Sequence, residues 1–289
     1  MGNVFSRSFH IFKESLAVLR QDTEILIFPV LSGIFTMIAM AGMIYAGVIT
    51  GFFARLGDGS DLQSNVLGYS GLFLWYFVSW FIVIFFNVAV IHCARIRFEG
   101  GNPTVADGFR ASTSHLGRIA TWALVAATVG LVIRIASDRA KFIGKIVASI
   151  AGAAWAIATF FIVPVIIFEK KSIKDSIKQS ADLVRKTWGE SLVSAGGVGL
   201  FMMMLGAAGL ILPVAGMFIS VQAAVIGLGI MAFYWLGLMV VSSALTGIFR
   251  AGLYLYATEG KLPKGFSPAY VQGAFGAPKG KGAPARVTA

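Results

Sequence analysis

The sequence predicts an all-α integral membrane protein: six transmembrane helices, with three cytoplasmic amphipathic helices at the interface. Three observations carry this. From Ser191 to Phe249 the chain has no Asp, Glu, Lys, Arg or His; at roughly 20 residues per crossing, that run holds two crossings. The 289 residues are 57% hydrophobic and 13% charged, against about 25% charged in an ordinary globular domain. A short Asp-bearing pattern recurs in two basic loops, which points to a duplicated helix-plus-hairpin unit.

The spans fall at 25–53, 68–94, 119–136, 146–168, 191–214 and 217–249. Pro213 and Gly216 mark the turn that divides the long uncharged run, because proline ends a helix and glycine permits reversal. Pro29 and Pro164 are candidate kinks. The third span is the least apolar, since Arg134 closes it; an arginine near a helix end snorkels to the headgroups. The 34 glycines suit close helix packing in lipid. The first apolar block follows a charged stretch and is too long for a signal h-region, so no cleavable signal peptide is expected.

Charge sets the orientation. With six spans and a cytoplasmic N-terminus, Arg55, Arg134, Arg139, Lys141 and Lys145 lie outside, and the rest of the 24 Lys and Arg lie inside. Dropping the third span inverts the later loops and brings the two sides near parity, so the positive-inside rule favours six. Residues 1–258 form the membrane domain. Residues 259–289, rich in Gly, Pro, Ala and Lys, read as a disordered cytoplasmic tail. The expected location is the cytoplasmic (inner) membrane of a prokaryote, with both termini inside.

The repeat runs Thr104-Val105-Ala106-Asp107-Gly108-Phe109-Arg110-Ala111-Ser112 and Ser172-Ile173-Lys174-Asp175-Ser176-Ile177-Lys178-Gln179-Ser180. Both read [ST]-[VI]-x-D-x-[FI]-[RK]-x-S. Thr104 and Ser172 are candidate helix caps, with Asp107 and Asp175 three residues on, where negative charge suits the helix dipole. Val105, Phe109, Ser112 and Leu116 share a helical face, as do Ile173, Ile177, Ser180 and Val184. Phe5, Phe9, Phe12, Leu16 and Leu19 repeat the apolar spacing as a degenerate third copy. Helices of this kind lie in the headgroup plane, and three of them make a basic collar.

Several of these segments resemble a prokaryotic family of unknown function. They are Phe5-Ser6-Arg7-Ser8-Phe9, Phe12-Lys13, Leu19-Arg20-Gln21-Asp22 and Phe28-Pro29-Val30-Leu31-Ser32-Gly33, then Arg97-Phe98-Glu99-Gly100-Gly101, Pro103-Thr104 and Thr187-Trp188-Gly189-Glu190-Ser191. The resemblance covers about residues 4–255 and implies a multi-pass protein of a bacterial or archaeal cytoplasmic membrane. It implies no activity and no catalytic residues.

Chemistry is thinly represented. Gly68-Tyr69-Ser70-Gly71 resembles the nucleophile motif of rhomboid proteases, but a serine nucleophile needs a base at about 3 Å. His92 stands ~33 Å along the same helix, and His10 and His115 map to the opposite side. Three scattered histidines and the single Cys93 make no metal cluster and no disulfide. No cofactor is expected, and the chain is read as not an enzyme. The net charge of +11 is read as loops that meet anionic headgroups, not nucleic acid. No carboxylate lies within the spans away from their ends; Asn87 and Gln222 are the candidate intramembrane polar contacts, as interhelical bonds or substrate contacts. The reading is a non-enzymatic membrane scaffold, partner-binding or lipid-interacting protein, its partners anionic lipid and a protein or second copy. The alternative is a transporter or channel for a hydrophobic or lipid-like solute.

Overall fold

The structure is a computed structural model, which describes residues 15–52, 62–169, 171–188 and 202–260. Their regular structure is entirely helical. Residues 15–21 are helical and Thr23–Leu26 form a 3-10 turn. Then come α1 (Ile27–Ile49), α2 (Leu62–Phe98), α3 (Val105–Ser114), α4 (Leu116–Arg139), α5 (Phe142–Ala158), α6 (Ile162–Phe168), α7 (Ile173–Trp188), a helical segment at 202–208, α8 (Ile211–Met217) and α9 (Val221–Glu259).

Five stretches are long and apolar enough to cross a membrane: Thr23–Ile49, Val66–Phe98, Leu116–Asp138, Phe142–Phe168 and Val221–Glu259. Met202–Met217 is apolar but shorter. The expected span at 191–214 begins in residues 191–201, outside the described residues. Large apolar side chains stand uncovered along these helices, among them Phe35, Ile38, Val225 and Phe233, the last 79% exposed. Soluble monomers rarely carry so much contiguous apolar surface. The chain is a membrane protein.

The chain divides into two compact units. One contains residues up to Pro29, Val90–Val105 and Leu183 onward; the other contains Val30–Ala89 and Ala106–Asp182. In the first unit, burial concentrates on Ile25, Phe28, Ile91, Ala94 and the C-terminal part of α9, where residues 251–256 are buried on every side. The earlier part of α9 is exposed at Val225, Ile226, Phe233 and Met239. A helix of 39 residues is ~58 Å long and exceeds a hydrocarbon core of ~30 Å. The uncovered part is the part that suits lipid, and the protein-covered part runs beyond it. The helix α9 runs past the expected end of the span at Phe249, through Arg250 to Glu259.

In the second unit, α4 and α5 form an antiparallel hairpin. Arg118 Nη1 donates to Ile166 O at 3.0 Å at its base, Trp122 stacks on Trp155 further along, and Ala140 and Lys141 make the turn.

Three helices open on one signature that the loop repeat did not reveal: Ile27-Phe28-Pro29-Val30 in α1, Ile162-Val163-Pro164-Val165 in α6 and Ile211-Leu212-Pro213-Val214 in α8. Each proline is the third helical residue, where an N–H has no intrahelical acceptor anyway. Its ring excludes a helical carbonyl four residues back, at Ile25, Phe160 and Gly209. The 3-10 turn at Thr23–Leu26 and the breaks at 159–161 and 209–210 fall there. Pro164 thus interrupts its helix instead of kinking it, and Pro213 starts a helix instead of ending one.

The reversal after α8 falls at residues 218–220, not at Pro213 and Gly216. Ser220 Oγ accepts from Ala223 N at 3.1 Å and caps α9. Gly216 instead permits close approach: a Cβ there would lie 2.7 Å from the Ala223 carbonyl, and one at Gly227 would lie 2.8 Å from Pro213 Cα.

Candidate functional site

The repeated loops are the first candidate. In the second copy, Asp175 N donates to Ser172 Oγ at 3.2 Å, and the same hydroxyl donates to Asp175 Oδ2 at 2.6 Å. In the first copy, Asp107 Oδ1 lies 3.6 Å from Arg110 Nη1, and Thr104 O faces Cys93 Sγ at 3.7 Å.

The buried faces differ from the expected ones. α3 buries Gly108, Ala111 and Ser112, while Leu116 opens α4 and is 44% exposed. α7 buries Ser176, Ser180, Leu183 and Val184. Val105, Phe109, Ile173 and Ile177 are only half-buried. Gly108 pairs with Ser176 in the repeat, and Ser112 with Ser180. These are two small residues four apart, the spacing that lets helices approach closely. The signal was in the sequence, at the fifth position of the pattern, which both copies fill with a small residue.

The two motif serines act on backbone. Ser112 Oγ donates to Phe85 O at 2.7 Å, and Ser180 Oγ accepts from Phe161 N at 3.0 Å. Phe109 lies against Phe85 and Phe86, with ring centroids 6.2 and 6.1 Å away. Together with the Cys93–Thr104 contact, this runs α3 back along α2. In the third copy, Phe5, Phe9 and Phe12 lie outside the described residues, Leu16 is half-buried and Leu19 buried. On α7, Lys174, Lys178 and Arg185 are exposed and make no ion pair among the described residues, whereas Lys171 meets Glu169 at 2.9 Å.

The charged end of the first unit is the second candidate. Arg97 holds both carboxylate oxygens of Asp22 through Nε and Nη2, and Nη2 also donates to Asn102 Oδ1 at 2.9 Å. Asp22 is 7% exposed. Arg95 meets Glu99 at 2.8 Å and Glu259 at 3.5 Å, which ties the end of α2 to the end of α9. A Schellman stop aims these groups: Gly101 N donates to Ile96 O and Gly100 N to Arg97 O, both at 2.9 Å, with Gly100 at φ 91°. Pro103 then prevents continuation. Chemically this is a clamp; a guanidinium fork on a carboxylate fixes geometry and does not exchange protons.

The intramembrane candidates are not brought into such a role. Asn87 Nδ2 donates to Val83 O of its own helix at 3.0 Å. Gln222 is exposed in the first turn of α9, at a helix end. Ser70 of the GYSG motif donates to Val66 O at 2.8 Å. Thr36, Thr128, Thr159 and Thr246 likewise bond the carbonyl four residues back, the usual way a hydroxyl is satisfied within a helix. No His, Cys, Asp or Glu cluster able to hold a metal occurs among the described residues.

Breaks in apolar helices are where carriers bind solutes. Here side chains of the protein meet some of the backbone groups at the breaks. Ser180 takes Phe161 N at the α5–α6 break. At the 209–210 break, Tyr234 OH donates to Leu205 O at 2.8 Å and Trp235 Nε1 to Gly206 O at 3.0 Å.

A model for a family of unknown function, DUF6159, matches residues 66–265. The chain belongs to that family. No curated protein and no solved structure matches it. The DUF6159 stretch holds both Asp-bearing copies, Arg97, the Gly100-Gly101 stop and the α8–α9 hairpin. Asp22, the partner of Arg97, lies before it, as do the N-terminal segments of the resemblance.

Proposed function

We propose that the chain is a non-enzymatic scaffold of the cytoplasmic membrane whose basic side meets anionic headgroups or an acidic partner. The observation that carries this is that side chains of the protein reach backbone groups at the helix breaks. In a carrier, broken backbone groups are left for the solute; here Ser180, Tyr234 and Trp235 meet Phe161 N, Leu205 O and Gly206 O. Lys174 and Lys178 of α7, exposed and without an ion pair among the described residues, supply the surface. Six spans fit this reading. So do cytoplasmic termini, a prokaryotic inner membrane and a basic tail at 259–289.

The experiment is reconstitution of the full chain into proteoliposomes, followed by assays of labelled-phospholipid flip and of small-solute flux. The scaffold reading expects rates equal to those of empty vesicles. Protein-dependent flux would overturn it in favour of a transporter or channel for a lipid-like solute, the reading that the two helix breaks otherwise favour.

A further inference from the structure

The turn between α4 and α5 lies at the opposite end of the hairpin from the Arg118–Ile166 bond. From Arg118 to Arg139 the helix rises ~32 Å, about one hydrocarbon thickness, so base and turn meet opposite headgroup layers. The turn carries the cations that depart from the charge bias of the other loops. Arg134 is answered by Asp138 at 3.0 Å. Lys141 and Lys145 are exposed, and neither side chain has a partner among the described residues. They stand one helical turn apart at the start of α5, where like charges repel. Between and beside them Phe142 is 79% exposed and Ile143 75%, with Ile146 and Val147 also uncovered. Among the described residues, cations without an anion and apolar groups without cover share one surface. A phospholipid answers both, with a phosphate for the ammonium groups and acyl chains for the apolar side chains.

We propose that the α4–α5 turn is a binding site for anionic phospholipid. Lys141 and Lys145 take the headgroup phosphate, and Phe142 and Ile143 enter the acyl layer. The site is distinct from the basic face of α7 and does not depend on the scaffold reading, since a carrier could bear it equally.

The test is native mass spectrometry of the full chain, released from detergent micelles that offer phosphatidylglycerol and phosphatidylcholine in equal amounts. Wild type retains phosphatidylglycerol at least about fivefold over phosphatidylcholine, the factor for one lysine at an anionic surface. K141Q/K145Q lowers that ratio at least about fivefold, with an unchanged circular dichroism spectrum. Three results overturn the proposal: no preference in wild type, an unchanged preference in K141Q/K145Q, or its loss to millimolar inorganic phosphate, which marks a free-anion site. A benzoylphenylalanine at position 142 crosslinks to lipid in membranes; an adduct with a protein instead also overturns it.

Discussion

Arg97 grips Asp22 by both arms of its guanidinium across 75 residues of sequence, and so fastens the segment before α1 to the end of α2. Asp22 is almost wholly covered. A buried ion pair that loses one partner typically costs 3–5 kcal/mol. Asp22→Asn lowers unfolding stability in detergent by about 3 kcal/mol. Arg97→Lys keeps the charge but loses the fork, and recovers only part of that. Thermal unfolding followed by tryptophan fluorescence checks both; a loss below about 0.5 kcal/mol for Asp22→Asn would mean the pair behaves as a surface pair.

The two motif serines should differ in cost. Ser180→Ala removes the hydroxyl that accepts from the buried Phe161 N–H, a loss of about 1–3 kcal/mol. Ser112→Ala removes a second donor from Phe85 O, a carbonyl in mid-helix, and costs about 1 kcal/mol or less. Midpoint shifts of the two variants, measured side by side, give the order; equal losses would count against the helix-break account of Ser180.

Glycine substitutions separate packing from mere composition. Gly216→Val meets the backbone of Ala223, and Gly227→Val meets that of Pro213 and Leu212, neither of which can move aside cheaply. Each destabilises the α8–α9 hairpin by about 2 kcal/mol or more. Gly229→Ala and Gly237→Ala have open space and stay neutral or gain slightly from helix propensity. Protease resistance of the four variants in detergent distinguishes the groups.

Tyr234 and Trp235 serve the break at 209–210. Tyr234→Phe and Trp235→Phe keep the ring volumes roughly and remove one donor each, a loss of about 0.6–2 kcal/mol in lipid. Amide hydrogen exchange at residues 206–212 accelerates in both and stays unchanged in α4. Uniform acceleration across the chain would show a global effect instead.

Legibility in the sequence followed the range of the physics. Apolar runs and basic loops are local, so the membrane nature and most spans were readable from composition. Ser112 and Ser180 recur at one offset in the sequence, and each bonds backbone in the structure. The role of Gly108 and Ser176 was missed because smallness was not treated as a signal beside hydrophobicity and charge. The Ile-x-Pro-Val openings lie at helix starts, outside the repeated loops, and become legible only once the helix bounds are known. The Arg97–Asp22 clamp was unreadable in principle from periodicity, since nothing in either neighbourhood names a partner 75 residues away. Asn87 and Gln222 drew attention as polar residues in apolar runs; the structure satisfies one within its own helix and places the other at a helix end.

The account rests on two solvents dividing the helices, oil around the uncovered part of α9 and water at the outward face of α7. In a Cys93→Ala background, a nitroxide is placed at Phe233→Cys or at Lys178→Cys of the reconstituted chain, and spin relaxation by dissolved oxygen is compared with that by a water-soluble nickel chelate. At 233 the label is relaxed strongly by oxygen and barely by the chelate, and at 178 the order reverses. If the chelate reaches both labels equally, the apolar surface of α9 faces water and the membrane reading is wrong.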